Sequence, residues 1–285
     1  MHAVQERGWE ELTIEIATAT TKRSMMKHGF IGFGNLARAI YEGLKEEEGM
    51  TFAYFARSDK AMSIPFHEKL EQLVDRSDVL WLAVKPQDLA GILQQLKECD
   101  LTGKTIVSPV AGKSIAWIER YLGADQLIVR IMPNLAMAYR MSVTAFCTNR
   151  PGEEKATGIF TLLGKLGKAV DLEESGFDLF TSVFGSGPAF ILSFIQIFKQ
   201  KMQEFSLPGP LLDELLLELT RGTTRYFTEN QKAHSIEELI RNITSKGGTT
   251  QAGLEYFRTH EIGKHFEGVL DAARNRSEEM SRNGD

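Results

Sequence analysis

Cysteine is scarce in this chain: Cys99 and Cys147 are the two among 285 residues. They show no C-x-x-C spacing, which argues against a metal knuckle or a disulfide scaffold and fits a reducing, cytoplasmic compartment. The six histidines form no H-E-x-x-H or similar pair, so no metal site is expected. An excess of basic charge is also missing. The 33 Lys and Arg stand against 38 Asp and Glu, a net charge of −5, which disfavours a protein that tracks nucleic-acid phosphates. No apolar run reaches the roughly 20 residues that span a bilayer. The longest, 189–198, is interrupted by Ser193 and Gln196 and reads as a buried helix. Neither nucleic acid nor a membrane is expected as a partner.

What is present suits a globular protein: 42% hydrophobic and 25% charged residues, in a chain long enough for two domains with their own cores. Residues 1–24 carry no turn grammar, and Arg7, Glu10, Glu11 and Glu15 break any signal-peptide core. They read as a disordered extension or the product of an upstream start codon, with Met25 or Met26 as the start.

Residues 25–150 alternate short apolar strands (27–31, 52–55, 79–84, 105–110, 128–132 and 143–147) with helical patterns (36–45, 68–75, 89–96 and 115–122). That alternation predicts a doubly wound parallel sheet covered on both faces, an α/β fold with ligands at the carboxyl ends of the strands. After Pro151-Gly152 the grammar changes. A helix at 153–166 and a short strand at Ala169-Val170 are followed by helix alone, so residues 151–285 read as a second, helical domain. Its stripes, Leu212, Leu215, Leu216 and Leu219, then Ile262, Phe266, Val269, Leu270 and Ala273, have helical spacing. Apolar helices this dense, with no sheet to cover, often pack on a second subunit.

Two glycine-rich helix starts carry the chemistry. Gly32-Phe33-Gly34-Asn35-Leu36-Ala37 follows the first strand, and Ser245-Lys246-Gly247-Gly248-Thr249-Thr250 opens a late helix. A helix start presents unpaired N–H groups and the positive end of its dipole, so each is an anion site. The first has the G-x-G-x-x-A form of a dinucleotide turn: Gly32 for the tight turn, Gly34 for approach of the pyrophosphate, Ala37 for close packing. An NAD site usually has Asp or Glu at the end of the second strand. This chain has Arg57 and Ser58 there, which suit a 2′-phosphate and favour NADPH, although Asp59 follows. The plainer alternative for Arg57 is an exposed loop arginine. Lys85, in Val84-Lys85-Pro86-Gln87, reads more readily as solvated or phosphate-facing than as a catalytic acid. The second start fits a small carboxylate, with hydroxyls beside it.

Five motifs occur in one order: Gly29 to Ala37, Val84-Lys85-Pro86-Gln87, Arg130-Ile131-Met132-Pro133-Asn134, Gly185-Ser186-Gly187-Pro188-Ala189 and Thr244 to Thr250. Together they resemble the pyrroline-5-carboxylate reductase family over about residues 26–281. The resemblance implies a Rossmann-type domain followed by an all-α C-terminal domain that interlocks two subunits, often building larger rings of dimers. It implies NADPH, with NADH as a possible substitute, and a cyclic imino acid as substrate, reduced to L-proline. Gly32, Gly34, Asn35 and Leu36 then match the pyrophosphate turn, and Arg57 and Ser58 the 2′-phosphate side. Ala83, Val84, Lys85 and Pro86 match the loop beneath the dinucleotide, Ala111 and Gly112 the segment near the nicotinamide. Met132, Pro133 and Asn134 match the wall between cofactor and substrate. Ser245, Gly248, Thr249 and Thr250 match the substrate loop, with Thr250 the candidate catalytic contact to the ring nitrogen, and Glu229 matches an acid near the substrate.

Three positions depart from the family. Lys246 stands where proline is usual, the stretch 57–79 looks shortened, and Phe190 stands where tyrosine is common. These departures keep two alternatives open: a paralogue acting on another cyclic imine, and a non-catalytic nucleotide-binding regulator. A β-hydroxyacid-type dehydrogenase would need a catalytic lysine on the long helix of the second domain. Lys199 and Lys201, the lysines there, lie in a polar stretch.

Overall fold

The computed structural model describes residues 25–282; the expectation for residues 1–24 lies outside them. In chain order the elements are β1 (Met26–Ile31), α1 (Asn35–Leu44), β2 (Met50–Phe55), β3 (Phe66–His67), α2 (Leu70–Asp75), β4 (Val79–Leu82), α3 (Pro86–Leu96), β5 (Thr105–Ser108), α4 (Ile115–Leu122), β6 (Leu127–Met132), β7 (Ser142–Thr148), α5 (Glu154–Lys165) and β8 (Gly167–Asp171). The helices α6 (Phe177–Phe180), α7 (Gly187–Met202), α8 (Gly209–Asn230), α9 (Ile236–Asn242), α10 (Thr249–Thr259) and α11 (Ile262–Arg282) follow.

The strands form one sheet in the order β3-β2-β1-β4-β5-β6-β7-β8. The chain leaves β1 for β2 on one side and returns to β4 on the other, so the glycine turn after β1 sits at the switch point where ligands bind. Alternate strand residues feed two cores. Phe30 and Trp81 face α1 and α5, with Ile40, Leu44, Ile159 and Leu163. Ile31, Leu80 and Leu82 face α2, α3 and α4, with Leu73, Leu89, Leu93 and Ile118. Each fully buried leucine of α3 contributes about 1.5–3 kcal/mol, which fixes the opposite face of that helix toward the ligand side.

Two expectations need correction. The sheet is not wholly parallel: β7 runs antiparallel to β6, from Val129↔Thr148 to Met132↔Ala145. The connection at 133–141 is shorter than the dozen or so residues of a parallel crossover. Nor does the sheet unit stop at 150. The last strand, β8, pairs in parallel with β7 from Ser142↔Gly167 to Phe146↔Asp171, and α5 buries Ile159, Leu162 and Leu163 in the sheet core. The turn at 151–152 is a strand-to-helix connection inside the sheet unit. Between β2 and β4 stand a two-residue strand and a six-residue helix.

His28, on β1, is buried, and its Nδ1 accepts the Trp81 Nε1–H at 3.2 Å, leaving Nε2 without a partner. Burial lowers its pKa from 6.5 to about 4, against the pull of Asp78. Above pH 6.5 the ring is neutral in folded and unfolded chains alike. As pH falls from 6.5 toward 4, the unfolded chain binds a proton that folded His28 refuses, so stability drops by roughly 3 kcal/mol. Urea unfolding at pH 7 and pH 5 should show about 2 kcal/mol of this loss, and His28→Gln, which keeps an acceptor for Trp81, should flatten it.

The helical half differs in kind. The stretch 189–198 was expected as a buried helix, yet α7 has no buried residue: Leu192 is 63% exposed and Ile191 61%. Of the α8 stripe, Leu212 and Leu216 are buried while Leu215 and Leu219 are exposed. On α11 the sole buried residue is Ser277, although Phe266 meets Phe190 and Phe194 edge-on. The run Glu174–Met202 is long and apolar enough by length and composition to cross a membrane, with 17% of its most apolar window buried. The periodicity marked real apolar faces, but among the described residues little covers them.

Candidate active site

The first anion seat is built by backbone. Gly32 has φ +86°, and a Cβ there would lie 2.5 Å from the Ala83 carbonyl oxygen, so the turn can close against β4 with glycine alone. Its N–H donates to the Phe55 carbonyl at 2.8 Å, tying the turn to β2. Gly34 precedes α1 with φ −89°, and a Cβ there would meet nothing within 4 Å. Space is therefore held open in front of the helix start. No side chain caps α1, so the N–H groups of Asn35 and Leu36 stay available to an anion. The Leu36 side chain packs on the core.

A cavity of about 560 Å³ opens there, lined by Gly32, Gly34, Arg57, Ala83, Val84 and Lys85 among others. Lys85 precedes α3 and Pro86 starts it, where a missing N–H costs nothing. Sequence reasoning missed the far wall: Asp88, Gly91, Ile92 and Gln95 of α3, and Lys60. The signal was available, since 88, 91, 92 and 95 are spaced i, i+3, i+4, i+7 opposite the Leu89, Leu93 and Leu96 stripe. The structure also answers the concern over Asp59. Its carboxylate accepts bonds from the Tyr54 hydroxyl and from the Ala61 N–H at 2.9 Å. These bonds, the Tyr54 hydroxyl foremost, hold it below the usual carboxylate range. Asp59 is thus occupied by its own turn, while Arg57, Ser58 and Lys60 are exposed.

The second seat lies at the start of α10, an exposed helix with no side-chain cap. Gly247 has φ +73°, and a Cβ on Gly248 would collide with Ser245 Oγ, which therefore lies directly against the helix start. The Gly248 N–H is used by the Ser245 carbonyl at 3.1 Å, leaving those of Thr249 and Thr250 at the first turn. Gln251, unremarked in the sequence, accepts the Gly247 N–H on Oε1 at 2.6 Å and closes the loop from the side. That bond ties down the loop that carries Lys246.

The structure does not bring every candidate together. Glu229 ends α8 beside Arg225, at 3.8 Å, in an open groove with Thr220, Thr224 and Thr228 and none of the loop residues. The cavity at the glycine turn contains no residue of the α10 loop. Asn134 spends its side chain internally: Oδ1 accepts from the Ala136 N–H at 3.0 Å, and Nδ2 donates to the Phe184 carbonyl at 2.9 Å. It joins the sheet to the π-helical turn Thr181–Gly185 that leads into α7. Gly112, at φ +70°, lies against α11, where a Cβ would come within 2.6 Å of Met280 Cβ. The segment Ala111-Gly112 therefore rests on the last helix of its own chain. Arg130, 5% exposed, pairs with Glu174 at 2.7 Å and lies over the Phe177 ring, so its motif fastens the helical half to the sheet.

Other chemistries find no support. Lys199 pairs with Asp213 at 2.5 Å and Lys201 with Glu204 at 2.6 Å on exposed helices, so neither sits as a proton donor in a pocket. Burial pushes the Cys147 thiol up to about 12, far from a reactive thiolate. Among the described residues no cluster of His, Cys, Asp and Glu is arranged to hold a metal.

Known proteins match this architecture along its length. A family model described as pyrroline-5-carboxylate reductase dimerisation matches residues 174–280, and one described as NADP oxidoreductase, coenzyme F420-dependent, matches residues 27–112. The pyrroline-5-carboxylate reductase of Staphylococcus saprophyticus subsp. saprophyticus is 32% identical over 269 residues, 90% of this chain and 98% of its own. That of Aquifex aeolicus is 35% identical over 267 residues, 90% and 97% of the two chains. A solved 1-pyrroline-5-carboxylate reductase from Streptococcus pyogenes superposes with TM-score 0.80 at 26% identity, over 89% of this chain and 98% of that one. The Plasmodium falciparum pyrroline carboxylate reductase, solved with NADP bound, shares the fold at TM-score 0.84 and 23% identity, covering 90% and 98%. With two relatives above 30% identity over nine-tenths of its length, and a glycine turn and helical half built as described, the chain belongs to the pyrroline-5-carboxylate reductase family.

Proposed function

We propose that the protein reduces 1-pyrroline-5-carboxylate to L-proline with NADPH, as a dimer in the cytoplasm. Bound NADPH supplies the hydride for the imine carbon. The N–H groups at the start of α1 take the pyrophosphate, and Arg57 and Ser58 take the 2′-phosphate. At the other seat, the N–H groups at the start of α10 and the Ser245 hydroxyl hold the substrate carboxylate. The Thr250 hydroxyl meets the ring nitrogen, which arrives protonated or takes its proton from water. Positioning of this kind is worth roughly 7–11 kcal/mol of the barrier, so no buried acid–base pair is required.

The observation that carries this reading is the uncapped start of α10, with Ser245 Oγ set against Gly248. A second copy is the proposed cover for α7, α8 and α11, whose apolar side chains lie exposed in the region matched by the dimerisation model. The exposed apolar face thus supports pairing with another subunit over insertion into a membrane. Product analysis tests the reaction: one L-proline should form for each NADPH consumed. NADPH consumption without proline would point to another acceptor.

The assignment of Arg57 has its own test. Arg57→Ala should raise the KM for NADPH by about tenfold, the scale of one charge-assisted phosphate contact, and leave the KM for NADH nearly unchanged. Equal effects on both cofactors would remove Arg57 from the 2′-phosphate site.

A further inference from the structure

Arg57 is not alone at the open end of the cofactor cavity. Its Nη2 lies 2.7 Å from Asp88 Oδ1, although the arginine side chain is 85% exposed. Asp88 stands in the first turn of α3, where the helix dipole favours a carboxylate with or without Arg57. Lys60 lines the same cavity, and its Nζ lies 3.1 Å from Ser58 Oγ. The turn carrying these groups is fixed from beneath: the Tyr54 hydroxyl, on a fully buried ring, donates to Asp59 and accepts the Lys60 N–H at 2.9 Å. Two cations and a hydroxyl therefore share one exposed turn, facing one carboxylate across the cavity.

We propose that Asp88 is a built-in competitor for the 2′-phosphate, and that Lys60 is a second cation of that seat. In the absence of phosphate, Asp88 holds Arg57. A 2′-phosphate takes Arg57 over, assisted by Lys60, and must do so close to the Asp88 charge. Asp88 therefore lowers the preference for NADPH over NADH that Arg57, Ser58 and Lys60 create. An exposed pair such as Arg57–Asp88 is weak, and the exchange is screened by salt. This inference rests on the placing of the 2′-phosphate at Arg57.

The test uses binding alone, with 2′,5′-ADP and 5′-AMP titrated calorimetrically against the full-length protein. Asp88→Asn should tighten 2′,5′-ADP by about two- to fivefold at low salt, change 5′-AMP little, and lose most of the gain in 0.5 M salt. Lys60→Ala should weaken 2′,5′-ADP selectively, by a similar factor. A thermal melt of each variant guards against misfolding, and Asp88→Ser serves if the asparagine variant melts early. Unchanged or weaker 2′,5′-ADP binding in the Asp88 variants, beside a selective loss in Arg57→Ala, would overturn the competitor role alone. A loss in Arg57→Ala equal for both ligands would overturn the 2′-phosphate assignment and this inference with it.

Discussion

Thr250→Ala should lower kcat by about a hundredfold while NADPH still binds. The hydroxyl is the one side-chain hydrogen-bonding group proposed to meet the ring nitrogen, accepting from it where it arrives protonated, and charge changes there as hydride arrives. Loss of a positioned hydrogen-bond partner at a centre whose charge changes costs on the order of 10²–10³ in rate. The fold gives the variant no reason to fail. Thr250 is exposed in the first turn of α10, and alanine is a better helix former. Thr250→Ser should recover much of the rate, since it restores the hydroxyl and removes a methyl group. The rate is read from NADPH oxidation and the binding from NADPH fluorescence. Full turnover in the alanine variant would take Thr250 out of the chemistry.

Gly34 and Gly32, two residues apart, should fail in opposite ways. Gly34→Val places its side chain in open space at a φ of −89° that any residue adopts, so the fold stays intact. That space is the proposed approach of the pyrophosphate, and NADPH affinity should fall about ten- to a hundredfold, roughly 1.4–2.8 kcal/mol. Gly32→Ala instead forces a left-handed φ, worth about 1–2 kcal/mol, and drives its methyl into the Ala83 carbonyl. Its melting temperature should fall by about 5 °C or more. Calorimetric melts and NADPH titrations of the two variants separate the cases. A Gly34→Val protein that binds NADPH normally would mean that the cofactor does not approach this turn.

The features that proved legible in the sequence were local ones. A strand running into G-x-G-x-x-A announces its turn because Gly32 must take a positive φ against β4. The start of α10 is equally local, with Gly247 in the left-handed region and Gly248 making room for Ser245 Oγ. What escaped depended on partners distant in the chain. Lys60 and Asp88 line one cavity because the chain beyond β2 and the start of α3 both border it, and the stripe of α3 that faces it gained meaning once the leucine stripe was seen in the core. The reversal of β7 followed from a short connection, which composition does not advertise. Asn134, read as a wall of the site, caps its own turn at Ala136 through Oδ1 and reaches the π-helical turn through Nδ2 alone, a link between segments 50 residues apart that no local motif announces. The buried reading of α7 failed because hydrophobic spacing says that a face will be covered, not which chain covers it.

The central claim is tested most directly by the initial rate of NADPH oxidation at 340 nm with pyrroline-5-carboxylate, run beside the six-membered piperideine-carboxylate. Rapid oxidation that depends on the five-membered ring, and exceeds that with the larger one, is the predicted result. NADPH that binds but is not consumed with pyrroline-5-carboxylate would contradict the account, and would mark the Lys246 loop as altered for another purpose.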